Sequence, residues 1–177
     1  MPEYVRHVKS TFTPAERAEL DEVDALAERL RAHLHSQSEI ITALHVFRAQ
    51  SKAIQDHVGR LLQHELRFGS EVVLTPQEGL ITRSRPDFFF RLSTDRGIIA
   101  EVERGGTTAN NHDLKDLWKT HVASDAHHLF LVVPVELRNE LGTVRERPFR
   151  KVIRRMGAFF GDSRREIDVV SVHVFGY

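Results

Sequence analysis

Two acids flank a single valine in the stretch Gly97-Ile98-Ile99-Ala100-Glu101-Val102-Glu103-Arg104-Gly105, an otherwise apolar, strand-like run. In a half-buried strand alternate side chains share a face, so Glu101 and Glu103 project together. Burying carboxylates is costly unless something compensates their charge. A third acid, Asp87, stands in Arg85-Pro86-Asp87-Phe88-Phe89-Phe90, at the head of another strand-like run. Three converging carboxylates make a site for a divalent metal. Magnesium on such a site suits phosphodiester hydrolysis, which must neutralise charge on non-bridging oxygens, generate hydroxide and stabilise a departing alkoxide.

The elements that would position these acids can be read from period and punctuation. Thr13-Pro14-Ala15-Glu16 combines an N-cap hydroxyl, a proline at the first helical position and a glutamate three residues after the cap, which predicts a helix start. Leu20, Val23, Ala27, Leu30 and Leu34 then recur at spacings of three and four, a narrow stripe that needs a partner. Ser36-Gln37-Ser38-Glu39 repeats the capping pattern ahead of Ile40, Ile41, Leu44 and Phe47; Ile54, Val58, Leu61, Leu62 and Leu66 form a third set. Gly69 is suited to a left-handed cap, so residues 14–68 are expected to be mostly helical in two or three pieces.

From Glu71 the period shortens. Short strands are expected at 71–74 and 80–82, separated by Pro76-Gln77-Glu78-Gly79, then at 87–92 and 98–104 around a turn at 93–97, as an antiparallel meander. Helical spacing returns over 110–122, an apolar strand is expected at 129–133, a basic helix at 150–160 and a closing strand at 169–175. The order implies a single domain over 1–177. It divides into a mostly helical part at 14–68 and an α/β core at 69–177, with a mixed central sheet of about five strands flanked by helices.

This pattern resembles the PD-(D/E)xK nuclease superfamily, the restriction-endonuclease-like fold, over roughly residues 55–135. Its motif stands here as Pro86-Asp87 and, fourteen positions after Asp87, Glu101-Val102-Glu103. The resemblance implies a restriction-endonuclease-like core, with Asp87 and Glu101 as metal ligands and Glu65, from the preceding helical segment, as an extra ligand. The family usually has lysine where this chain has Glu103, so the chain carries an ExE variant. Three readings follow: Glu103 assists the attacking water; a lysine has migrated to the next helix, as Lys115 or Lys119; or the site binds and cleaves nothing.

The function implied is a magnesium-dependent DNA endonuclease, with manganese able to substitute, of a restriction or DNA-repair and defence type; the alternative is an inactive nuclease-like module that binds nucleic acid or protein. Catalytic candidates are Asp87, Glu101, Glu103 and Lys115. Arg85, Arg104, Thr107, Asn111, Lys119, Arg150 and Arg154 are candidates for contacting DNA, because arginine forks suit phosphate oxygens and the small residues of Gly105-Gly106-Thr107-Thr108 let a backbone approach. That loop lacks the Gly-Lys-Ser/Thr ending of a Walker loop, which argues against nucleotide hydrolysis of that kind. Eleven histidines invite a zinc reading, but the conspicuous pair His127-His128 would point to opposite faces of a strand.

Composition bounds the rest. The 177 residues are 41% hydrophobic, with mean hydropathy −0.33, and carry no net formal charge. Residues 1–40 hold eight acids against five bases, net −3, whereas residues 138–165 hold nine bases against three acids, net +6, making the latter the better polyanion surface. The absence of cysteine excludes thiolate metal sites and disulfides, and no apolar window is long enough for a membrane span. The protein is therefore expected in the cytoplasm, without membrane contact. The Leu20–Leu34 stripe makes a homodimer through the N-terminal helices a further expectation.

Overall fold

A computed structural model describes residues 3–46, 51–74 and 85–177 of the chain. It is an α/β fold built on one mixed six-stranded sheet in the order β1-β8-β5-β4-β3-β2. The strands are β1 (Glu3–Val8), β2 (Gly69–Ser70), β3 (Phe88–Ser93), β4 (Arg96–Val102), β5 (His128–Val133) and β8 (Ser171–Gly176); β6 (Leu137–Arg138) and β7 (Val144–Glu146) form a separate hairpin. The helices are α1 (Pro14–Ser36), α2 (Ser38–Leu44), α3 (Ser51–Arg60), α4 (His112–Val122) and α5 (Pro148–Gly157). A π-helical turn over Leu61–Glu65 continues α3. Strands β3 and β4 run antiparallel as expected, β2 pairs antiparallel with β3, β4 to β5 and β5 to β8 are parallel pairs, and β1 adds antiparallel to β8.

The central strands are buried on both faces, and their alternation sorts the core into two layers. Ile98, Ala100 and Val102 of β4, with Phe130, Val132 and Phe175, pack under α1, α2 and α3. Ile99, Leu129, Leu131, Val133, Val172 and Val174 pack against Leu117 of α4 and Phe149, Val152 and Met156 of α5. The stripe Leu20, Val23, Ala27, Leu30 and Leu34 is buried within the chain. Its need for apolar cover is met without a second copy.

Helix α1 begins as its sequence requires: the Thr13 hydroxyl accepts from the Glu16 amide and the Glu16 carboxylate accepts from the Thr13 amide. The second capping pattern does not form. Ser36 stays in α1 and its hydroxyl donates to the His33 carbonyl, so α2 starts from Gln37 without a side-chain cap. Gly69 is likewise not the left-handed cap; Arg67 takes that conformation, φ 63°, and Gly69 pairs with Phe89 in β2. The strand expected at 71–74 is thus replaced by pairing two residues earlier. The strand expected at 80–82, its preceding turn and Phe47 lie outside the described residues.

A buried polar chain joins α1 to the sheet. Arg96 donates twice to Glu19, at 2.6 and 2.7 Å, and Glu19 also takes His128 Nε2 at 2.7 Å. A carboxylate only accepts, so His128 Nε2 carries the proton and its Nδ1 accepts from Ser171 Oγ at 2.7 Å. Ser171 in turn accepts from His173 Nε2 at 2.9 Å, leaving His173 Nδ1 to accept from the Tyr4 hydroxyl at 2.8 Å. One proton arrangement satisfies every member, and burial keeps both imidazoles neutral by pushing their pKa values down.

Candidate active site

The site lies where β4 ends and α4 packs back over the sheet. Residues 99, 101 and 103 share the face of β4 that meets α4, so period two carries both glutamates to one side. Glu101 is 5% exposed and Glu103 half-buried. Asp87, just before β3, is tied to the same strand by crossed hydrogen bonds: its amide donates to Glu101 Oε2 at 3.2 Å and its Oδ2 accepts from the Val102 amide at 3.1 Å. The β3–β4 pairing of Phe88 with Ala100 sets that register.

Helix α4 brings the rest. Lys119 donates from Nζ to Glu101 Oε1 and, at 3.0 Å, to Asp116 Oδ1 three residues earlier. Asp116 is 5% exposed, and its Oδ2 is buried with no hydrogen-bond partner among the described residues. His112, in the first turn, places Nδ1 3.0 Å from Glu103 Oε2. Because that carboxylate accepts, Nδ1 carries the proton and Nε2 is the free ring nitrogen.

The electrostatics are those of a site short of positive charge. Burial, and then the charges of Asp116 and Asp87, push the Glu101 carboxyl well above the usual range, with Lys119 pulling the other way. Asp116 is raised by burial and by Glu103 and Asp87, again opposed by Lys119. Glu103 is raised by burial and lowered in part by His112. The Lys119 ammonium is held charged above its usual range, because Glu101 and Asp116 outweigh its desolvation.

Glycine and arginine set the approach of α4. Gly106 adopts φ 81°, and a Cβ there would stand 2.7 Å from the Asn110 side chain, so the turn into the helix needs glycine. Arg155 of α5 then clamps that turn: it donates to Asp113 at 3.0 Å, to Asn111 Oδ1 at 3.1 Å and to the Thr108 carbonyl at 3.2 Å. Asp113 is fully buried beneath it.

An open cavity of about 860 Å³ adjoins Asp87, lined also by Arg85, Arg60 and Lys52 and by Asp56 of α3. Gly59 of α3 lets Phe88 approach, since a Cβ there would stand 2.7 Å from the ring.

The residues singled out from sequence therefore separate. Asp87, Glu101, Glu103 and Lys119 come together. Lys115 is exposed, and it is Lys119, one turn on, that reaches the carboxylates. Glu65 is exposed; its charge acts on His33 of α1, and its carbonyl accepts from Arg29, which sets it on the opposite layer from α4. The acid that joins the cluster is instead Asp116, three residues before Lys119 and not among the candidates named above. Arg85 lines the cavity, Arg150 and Arg154 are exposed on α5, Thr107 is buried with its hydroxyl on the Arg104 carbonyl, and Arg104 donates to the Val46 carbonyl. Asn111 is the left-handed N-cap of α4, its side chain held by Arg155.

Among the described residues, no three histidine or acidic side chains stand at metal-holding distances from one another as they are arranged. The ammonium of Lys119 lies between the two most buried acids. The donor set nonetheless fits a hard cation: oxygen ligands, raised carboxyl pKa values and one buried, unpartnered carboxylate oxygen. Compared with known proteins, the chain matches no family model, no curated protein and no solved structure. No helix among the described residues is long and apolar enough to cross a membrane.

Proposed function

We propose that the chain is a cytoplasmic, magnesium-dependent endonuclease acting on DNA, a PD-(D/E)xK-type enzyme in which Lys119 of α4 replaces the lysine expected at Glu103. The observation that carries this reading is the gathering of Asp87, Glu101, Glu103 and Asp116 at the end of β4, where Lys119 bonds Glu101 and Asp116 and Asp116 Oδ2 is buried and unpartnered. Four neighbouring carboxylates with one ammonium bonded to two of them are costly for stability alone, because the acids raise one another's pKa values.

Asp87, Glu101 and Asp116 would hold the cation, which when bound neutralises developing phosphate charge and lowers the pKa of water. Lys119 compensates Glu101 and Asp116 and fixes their orientation. Glu103 holds His112 in the tautomer whose free Nε2 accepts or returns a proton, so the pair suits general acid–base transfer. Arg85 beside Asp87, and Arg150 and Arg154 on α5, supply phosphate contacts.

A second reading is favoured by the same lysine: with Glu101 and Asp116 both engaged by Lys119, the site can serve as a nucleic-acid-binding module that cleaves nothing. Incubation with plasmid and phage DNA separates the two. Nicks or breaks that need Mg²⁺ or Mn²⁺ and vanish in Asp87→Ala and Glu101→Ala support the nuclease. Chelator-insensitive binding without cleavage in either metal supports the module, and cutting retained by both variants sinks the site assignment.

A further inference from the structure

Helix α4 leaves one large side chain outside the fold. Trp118, the chain's one tryptophan, is 56% exposed, although Leu117 beside it is buried in the core and Leu114 packs against it. Its contact in the structure is the His121 ring, 5.4 Å away and tilted by 54°. His121 is itself fixed, because its Nδ1 accepts from the Asp168 amide at 3.0 Å. The indole is thus buttressed from one side and open on the other.

The surroundings of that open face have a definite chemistry. Lys115, one turn earlier, is exposed, and Lys119, the next residue, enters the acid cluster. The acids of α4, Asp113 and Asp116, both point inward and are buried. The outer arc of the helix therefore presents an aromatic ring and a cation with no carboxylate. Helix α5, on the same face of the sheet, adds exposed Arg150, Lys151 and Arg154. Cations that track a phosphate backbone, interleaved with an aromatic plane, are what a strand with unpaired bases requires; a paired duplex has its base faces already stacked and offers none.

We propose that Trp118 is the stacking platform for an unpaired base of the strand cut at the neighbouring acid cluster, so that the substrate is DNA with unpaired bases next to the scissile phosphate. This rests on the nuclease reading for the chemistry but not for the binding. The platform holds the strand by a face common to all bases, so it selects for strandedness and not for sequence.

The single tryptophan makes the test direct. Titration in EDTA with a dye-labelled single-stranded oligonucleotide, and with the duplex of the same sequence, is followed by indole fluorescence and by anisotropy of the dye. The single strand should quench the indole and bind more tightly than the duplex. Trp118→Ala should weaken single-strand binding about 5- to 100-fold, and Trp118→Phe should restore most of it. Single-strand binding without quenching and undiminished in Trp118→Ala overturns the platform. So does fluorescence that depends on protein concentration and not on DNA, which would assign the indole to self-association. Cleavage is measured separately in Mg²⁺. Cutting unchanged by Trp118→Ala removes the platform and leaves the nuclease, whereas quenching without cutting in any metal keeps the platform and removes the nuclease.

Discussion

Lys119 on α4 donates to Glu101 on β4 across eighteen residues of sequence, and in doing so joins the helix layer to the strand that carries the acid pair. The ammonium is the nearest compensating cation for both Glu101 and Asp116. In Lys119→Met those carboxylates lose it, and removing one partner of such a buried group costs about 3 kcal/mol. The sign with pH follows from the raised carboxyl pKa of Glu101: the folded state holds its proton more tightly than the unfolded state, so stability falls as pH rises through the folded value. Lys119→Met should therefore lie further below the parent in Tm at pH 8 than at pH 5.5, and equal deficits at both would show that the lysine does not compensate these acids. Cleavage in Mg²⁺ should fall at least about 100-fold.

The contrast between Lys119 and Lys115 shows what the sequence could and could not convey. Both lie one turn apart on a recognisable helix, but choosing between them needs its rotational phase, and that is set by which residues the sheet buries. Asp113, Asp116, Leu117 and Thr120 turn inward, placing Lys119 at the edge of the buried arc and Lys115 outside it. The same phase hides Asp116, because an aspartate three residues from a lysine reads as a solvated pair until the helix is docked. Glu101 and Glu103 were legible because strand period is two whatever the neighbours do. Strand β1 was not, since an edge strand with Glu3, Arg6 and His7 among its six residues carries little apolar signal, and hairpin β6–β7 has no apolar run at all. Arg67 rather than Gly69 ends the helical segment because pairing of Gly69 with Phe89 begins there, a tertiary constraint that overrides local preference.

Arg155 should matter more than an arginine on a basic helix ordinarily does, because its three acceptors all lie in the turn that launches α4. Arg155→Met leaves Asp113 buried and unpaired and should cost about 3 kcal/mol, with Asp113 raised further by desolvation. Adding Asp113→Asn removes the orphaned charge and should recover part of that loss. A double variant no more stable than Arg155→Met, by chemical denaturation, would show that the clamp is not an ion pair in the energetic sense. Arg150→Met, on the exposed face of the same helix, should leave stability within about 0.5 kcal/mol.

Glu19 gives the buried polar chain its pH dependence. Burial alone would raise its carboxyl pKa, but hydrogen bonds from His128 and Arg96 outweigh that and bring it down to about 2. A depressed folded pKa contributes stability above the unfolded value, near 4.5, which is lost as pH falls from there toward 2. Glu19 remains partly open to solvent, so Glu19→Gln should cost about 1–2 kcal/mol at pH 7. The gap to the parent should close between pH 4.5 and pH 2. A gap undiminished at pH 2.5, measured by urea unfolding, would mean that the contribution of Glu19 is packing and not charge.

Glu103 stands where the resembled motif has lysine, and its carboxylate is taken by His112. If the pair transfers a proton, Glu103→Gln and His112→Ala should each lower kcat for cleavage by about 100-fold with KM nearly unchanged, and the double variant should be no worse than either alone. Glu103→Lys, which restores the commoner motif, should lose activity as well: it removes the partner of His112 and sets a second ammonium against Lys119. An active Glu103→Lys would place the functional cation at position 103 and leave Lys119 a structural residue.

The unpartnered Oδ2 of Asp116 makes the cation itself testable without any turnover. A ligand that binds only the folded chain stabilises it by RT ln(1 + [L]/Kd), about 2.7 kcal/mol at one hundred times Kd. Mg²⁺ or Mn²⁺ should therefore raise Tm, and the rise should disappear in Asp116→Asn and Asp87→Asn while persisting in Glu65→Gln, whose side chain belongs to the α1 layer. Binding must displace protons from Glu101 and Asp116, so the rise should be larger at pH 8 than at pH 6. A shift that survives Asp116→Asn but is lost in Glu65→Gln would return the third ligand to the helix preceding β2 and overturn the site drawn here.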